Sequence, residues 1–223
     1  LYVQGACTYR TGAIYFKHLF EFIGFGFMFA RPMKRQLKKA EVLKAAAKVF
    51  RKNGYHAARI QDVADELGMQ KGSLYYYIKT KEDLLSGLVE DILEQSVELL
   101  NNIQDTTHTP SEKVRLCIVS HLNLFHQNID AFGVFINEDL QLINKNSDKD
   151  IFVLMKSYEK GWNNIFEEGV EHGEFRKADY KMIVKGILGM LNWSYRWYHV
   201  KEGYTIEQVA DVFADLILNG TKK

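Results

Sequence analysis

Gly68 separates two stretches that are each too short to hold a helix unaided, and this limits what residues 59–81 can fold into. Before it, Ile60, Val63, Ala64 and Leu67 fall at i, i+3, i+4 and i+7, the spacing of one buried helix face. After it, Leu74 and Ile78 stand four apart and turn a second helix inward along the same line. A glycine in between supplies the tight turn, because it accepts left-handed backbone without steric cost. The outward side of the second helix presents Gln70, Lys71, Ser73, Tyr75 and Tyr76, and Gly72 lets a partner come close to the backbone. Those side chains are donors and aromatic edges suited to phosphates and base edges, so the segment reads as a helix placed against DNA. A helical hairpin with ordinary solvated faces has the same periodicity.

Charge is partitioned in the same sense. Residues 33–81 hold twelve Lys/Arg against four Asp/Glu, a net of +8, and residues 82–223 hold fourteen against twenty-three, a net of −9. With +2 from residues 1–32, these sum to the formal +1 of the whole chain. The near-neutral total hides a basic head on an acidic body, as expected when one part neutralises phosphates and the other does not.

The flanks carry a family resemblance. A first helix over Ala40 to Asn53 sets Leu43, Ala46, Ala47 and Phe50 on one stripe and ends at Gly54-Tyr55. From there, Ile60-Gln-Asp-Val-Ala64, Leu67-Gly68, Lys71-Gly72-Ser-Leu-Tyr-Tyr-Tyr77 and Lys79-Thr-Lys-Glu-Asp-Leu-Leu85 follow in order. This run resembles the DNA-binding domain of the TetR/AcrR family of one-component repressors. The resemblance implies DNA contacts from Lys71, Gly72, Ser73, Tyr75, Tyr76 and Lys81, with Lys81 on a phosphate at the start of the fourth helix. Two departures stand out: Ala58 and Arg59, and then Gln70, replace the Ser or Thr that usually opens each helix, and each loses a cap typically worth ~1 kcal/mol. Arg59 and Gln70 are thereby free to reach the DNA.

Residues 1–32 do not fit this scheme. They hold nine aromatics, and Leu19 to Ala30 is almost wholly apolar, yet shorter than the ~20 residues of a membrane-spanning helix. Met33 is the expected natural start, with 1–32 a non-native or disordered extension; a membrane-anchoring or folded arm is the alternative. The expected domains are therefore 1–32 (extension), 33–81 (helix-turn-helix head) and 82–223 (ligand-binding and dimerisation body).

Beyond Lys81 the pattern is helical throughout, so the fold class is all-α. Thr80 with Asp83 forms a capping box that opens a fourth helix running to about Gln104. Helices are expected at 111–128 with Ser111 as cap, at 130–144, from Ser147 and Asp150 to His172, from Asp179 to Val200, and from Thr205 to Asn219. That makes nine, the number the family resemblance requires. The only prolines, Pro32 and Pro110, are expected outside helices.

The last two helices are expected to form a homodimer seam. Ile183, Val184, Ile187, Leu188 and Leu191, with Ile206, Val209, Phe213, Leu216 and Ile217, are more apolar surface than one side of a terminal hairpin needs. Ordinary packing within the chain is the alternative, and the family's mode of dimerising favours a four-helix seam.

Aromatic residues crowd the middle helices, and Tyr158, Trp162 and Phe166 recur on one face; core packing explains such a stripe as well as a pocket does. In Asn192-Trp-Ser-Tyr-Arg-Trp-Tyr198 an arginine stands among aromatic rings, and a buried arginine needs an anionic or carbonyl partner. Glu138 or Asp139 is one choice and an acidic ligand the other. The stretch resembles that of TetR-family regulators of fatty-acid and ring catabolism that respond to acyl-coenzyme A thioesters. The expected ligand residues are thus Phe135, Trp162, Phe166, Asn192, Trp193, Arg196 and Trp197.

Catalysis finds no support in the residues. Cys7 and Cys117 form no pair, His121 and His126 are five apart rather than four, and neither a phosphate-binding glycine loop nor a nucleophile elbow occurs. No cofactor and no metal is expected. The function expected is a cytoplasmic repressor, released from a palindromic double-stranded DNA operator by a small hydrophobic, fatty-acid or acyl-CoA effector. A drug-responsive repressor of an efflux system and a DNA-free, membrane-tethered helical adaptor are the alternatives.

Overall fold

The computed structural model describes residues 30–145, 147, 149–198 and 203–222. The expectation about the extension therefore falls largely outside the described residues. By internal contacts the chain divides into two units, Leu1–Glu41 and Val42–Lys223. In the described part of the first, Lys38 Nζ lies 3.0 Å from Glu41. The second unit contains the Gly68 helix pair and every helix after it.

The described residues form ten helices and no strand beyond one isolated bridge, Phe175 to Lys222. They are α1 (Ala30–Asn53), α2 (Ile60–Glu66), α3 (Lys71–Leu74), α4 (Lys81–Gln104), α5 (Pro110–Gln127), α6 (Ile129–Asn137), α7 (Leu140–Lys145), α8 (Ile151–Glu171), α9 (Tyr180–Trp197) and α10 (Ile206–Thr221). The tenth helix arises because the span expected as one helix at 130–144 breaks at Glu138, whose backbone is extended (φ −101°, ψ 159°). Asp139 then accepts the Gln141 N–H, and α7 starts afresh with Ile143 buried beneath it.

Short-range signals set most boundaries. Gly54 and Gly68 adopt φ of +77° and +62°, so each helix end turns where only glycine is unstrained. Thr80 accepts the Asp83 N–H at 3.0 Å while Asp83 accepts the Thr80 N–H at 3.0 Å, the reciprocal cap that opens α4. These bonds outweigh desolvation and hold the Asp83 carboxyl below its usual range. Two expectations need correction. Both prolines lie in the first turn of a helix, where no intrahelical N–H bond is lost, and α5 is capped by Thr109 rather than Ser111. Ser111 donates instead to Glu174 at 2.7 Å.

One apolar core runs from the head into the body. Val42, Ala46 and Phe50 of α1 meet Val63, Ala64 and Leu74, and α4 continues that core through Leu84, Leu85 and Leu88. Farther along α4, Ile92, Leu93 and Leu100 join α5 and α8. Gly161 makes the crossing of α4 and α8 close, since a Cβ there would lie 2.4 Å from Leu100. In the same way α9 lays Tyr195 directly over Gly133 of α6, where a Cβ would meet the phenol oxygen at 2.3 Å.

Candidate DNA-binding face and ligand cavity

The second helix of the Gly68 pair is short, Lys71–Leu74, and Leu74 within it and Ile78 beyond it are buried. Arg59, Gln70, Lys71, Gly72, Ser73, Tyr75 and Tyr76 are all exposed. Neither Arg59 nor Gln70 makes a side-chain cap, so both side chains are available, as their departure from Ser or Thr implies. Asp62 takes over part of the task by accepting the Arg59 N–H at 2.8 Å. Lys71 Nζ stands 5.8 Å from the centre of the Tyr75 ring, leaving a cation and an aromatic edge side by side.

Lys81 is placed differently from its expected phosphate contact. Its ammonium donates to the carbonyls of Tyr55, His56 and Ala58 at 2.9, 3.1 and 3.2 Å, and lies 4.5 Å from the Tyr55 ring centre. Lys has three donors, and here all are used to close the α1–α2 turn onto the start of α4.

The body holds a half-open cavity of about 60 Å³ among α4, α5, α6, α8 and α9. Ile92, Leu93, Phe132, Phe135, Met155 and Leu188 make its apolar wall, and Ser96, His121, Tyr158, Glu159 and Asn192 are its polar positions. Phe135 and Asn192 are thus the expected ligand residues that line it. Trp162 and Phe166 lie outside it as core: both are fully buried, and Phe166 stacks on Tyr180 at 4.7 Å and 9°. Trp193, Arg196 and Trp197 also lie outside it, on the exposed side of α9. Arg196 therefore needs no buried anion; it donates to Asn137 Oδ1 at 3.0 Å rather than to Glu138 or Asp139.

His121 and Tyr158 were missed from sequence as cavity residues. His121 Nδ1 is 3.1 Å from the Tyr158 hydroxyl, and its Nε2 is buried without a hydrogen-bond partner. Burial lowers the His121 pKa to about 4, with Asn192 opposing, and burial pushes the Tyr158 phenol up. The four-residue recurrence of Tyr158, Trp162 and Phe166 placed the tyrosine on the right face, but only the packing of α5 shows that a histidine meets it.

The seam residues also divide. Val184, Ile187, Leu191, Val209 and Ile217 are buried within the chain. A different face of α9 and α10 stays open: Met182, Trp193, Val212 and Leu216 are 63–66% exposed, and a Cβ at Gly186 or Gly189 would touch nothing within 4 Å.

An ion pair and a longer imidazole–carboxylate contact join the head to α6. Arg51 Nη1 donates to Asp130 at 2.7 Å, and His56 Nε2 is 3.8 Å from Glu138. Among the described residues no group of three His, Cys, Asp or Glu could hold a metal ion, and no helix is long and apolar enough to cross a membrane. Burial raises the Cys117 thiol pKa, which keeps it protonated.

Comparison with known proteins matches both halves. Residues 42–88 match the model of bacterial regulatory proteins of the tetR family, and residues 107–221 match the tetracyclin repressor-like C-terminal domain. The HTH-type transcriptional repressor KstR2 of Mycobacterium tuberculosis is 25% identical over 187 residues, covering 83% of this chain and 94% of that protein. The fatty acid metabolism regulator protein of Bacillus subtilis is 24% identical, covering 84% and 97%. Among solved structures, AibR in complex with isovaleryl coenzyme A and operator DNA shares the fold with a TM-score of 0.67 at 24% identity, over 80% of this chain and 97% of that one. With a helix-turn-helix head, an all-helical body and both domain models in register, the chain belongs to the TetR family of DNA-binding transcriptional regulators and is not an enzyme.

Proposed function

We propose that this regulator is a homodimeric repressor, released from a palindromic operator when an acyl-CoA-type effector occupies the cavity between α4 and α9. The observation that carries the proposal is that one helix, α6, serves both places. Its Phe132 and Phe135 line the cavity, while Asp130 at its start and Glu138 at its end face Arg51 and His56 of the head. Pockets for whole organic ligands are roughly 300–1,000 Å³, several times the present volume, so occupation must move the walls. Moving α6 and the Ile92–Ser96 stretch of α4 shifts the heads, and two heads whose spacing no longer matches the DNA repeat lose the operator.

AibR's structure with isovaleryl coenzyme A favours an acyl thioester as the effector, and the B. subtilis relative is a regulator of fatty acid metabolism. Lys185 suits the anionic end of such a molecule: its ammonium lies 3.2 Å from the cavity residue Glu159 and is itself exposed. The open apolar face of α9 and α10 supports the dimer, and a DNA-binding role is in keeping with the cytoplasm, where an operator lies. Within this scheme 33–81 reads DNA, and 82–223 binds the effector and the second copy.

Fluorescence anisotropy on a palindromic duplex selected by the protein tests the proposal. Release by isovaleryl-CoA or longer acyl-CoAs at micromolar concentration is expected. Release by hydrophobic cations alone points to an efflux-type sensor instead and overturns the thioester.

A further inference from the structure

The cavity's polar side chains gather at one pole. His121 and Tyr158 meet there through Nδ1 and the phenol oxygen, with their rings 6.1 Å apart and 25° from parallel, and Asn192 stands beside the imidazole. The two other polar positions are already engaged. Ser96 donates to Ile92 O at 2.8 Å, and the Glu159 carboxylate receives Lys185. No lysine or arginine is among the lining residues.

We infer that the pole formed by His121, Tyr158 and Asn192 binds an uncharged oxygen of the effector, a thioester or ester carbonyl or a hydroxyl, and discriminates against the free carboxylate. This rests on the cavity being the effector site. A carboxylate brought to this pole loses its water and meets no lysine or arginine among the lining residues, and the Lys185 ammonium beside the lining is already paired with Glu159. The imidazole does not become that cation at neutral pH, because burial disfavours its charged form. A neutral carbonyl needs only one donor. The Asn192 amide is partly accessible at the wall and offers N–H donors, and neutral His121 supplies either a donor or an acceptor at Nε2 according to its tautomer. A ligand oxygen in reach of Nε2 also partners an atom that is otherwise buried unpaired.

The test uses matched probes: straight and branched carboxylic acids from short to medium chain length, each paired with its own S-ethyl thioester so that the charged coenzyme is absent. Binding to the full-length protein is measured by titration calorimetry at pH 7.5. At the chain that binds best, the thioester should bind at least tenfold more tightly than its acid. Asn192→Leu should weaken the thioester several-fold, leave the acid unchanged and keep the melting temperature, and His121→Phe should do the same if it folds. Equal or tighter binding of the acid, or an unchanged thioester-to-acid ratio in Asn192→Leu, overturns the inference while leaving the effector site in place. Binding of neither probe at any length overturns both.

Discussion

Arg51 donates to Asp130 across 2.7 Å, joining the end of the head's first helix to the first turn of the helix that carries Phe132 and Phe135 into the cavity. Both side chains are about two-fifths exposed, 42% and 38%, so the pair contributes little to folding, roughly 0–1 kcal/mol. Its position matters more than its strength. Asp130→Asn should leave the unfolding free energy within about 1 kcal/mol of the parent. The same change should shrink the factor by which an acyl-CoA lowers operator affinity. Denaturant melts and anisotropy with and without isovaleryl-CoA measure the two effects, and full effector response in the variant would remove α6 from the coupling.

Lys71 and Lys81 should separate by their salt dependence. Lys71 is exposed on the second helix of the Gly68 pair, so Lys71→Ala, which removes one contact from each head of the dimer, should reduce the slope of log affinity against log salt by about 1.8 and leave the melting temperature unchanged. An unchanged slope would place Lys71 off the phosphates.

Lys81, by contrast, is committed to three carbonyls inside the head. Lys81→Met should destabilise the protein by about 1.5–3 kcal/mol, the range for hydrogen bonds to a charged group. Operator affinity should fall as a result, with the salt slope preserved. A variant of parental stability and shallower slope would return Lys81 to the DNA.

His121 should make stability depend on acidity. Its folded pKa of about 4 lies below the ordinary 6.5, so between those values the unfolded chain binds the extra proton. The contribution is complete above pH 6.5 and is lost progressively as pH falls towards 4, up to about 3 kcal/mol in all. His121→Phe should flatten the melting temperature across that window, and an unaltered acid limb would show that the loss comes from other groups.

Leu216 and Val212 on α10 and Trp193 on α9 should hold the dimer. Leu216→Glu places a charge at a position 65% exposed in the single chain, so the isolated protomer has little reason to unfold. Sedimentation should show the dimer giving way to monomer at micromolar concentration, with operator affinity falling sharply. A persistent dimer would put the seam elsewhere.

Sequence was most informative where the deciding forces are local. Gly68, the Thr80–Asp83 cap and the stripe of Ile60, Val63, Ala64 and Leu67 act within a few residues, and each lies as its spacing implies. The exposed recognition side chains obey the same period. What sequence left open depends on helices distant in the chain. The break at Glu138 and the pairing of His121 with Tyr158 require α5, α6, α7 and α8 to be in place. Arg196 illustrates the difficulty: four aromatic neighbours in sequence suggest burial, but consecutive helix residues point around the whole axis. Trp193 and Arg196 therefore reach solvent, while Ser194 and Leu191 fill the core.

The division of labour between cavity wall and head contacts bears on how such a sensor can change its specificity. The wall residues are spread over five helices, while the described polar contacts between α6 and the head involve only Asp130 and Glu138. Apolar positions such as Phe135, Met155 and Leu188 can be exchanged to admit differently shaped molecules without rewriting the output, so long as those two carboxylates and the α4 residues that pack with the head keep their places. A lineage, or a biosensor engineer, can retune the input of this protein while its genomic addresses stay fixed.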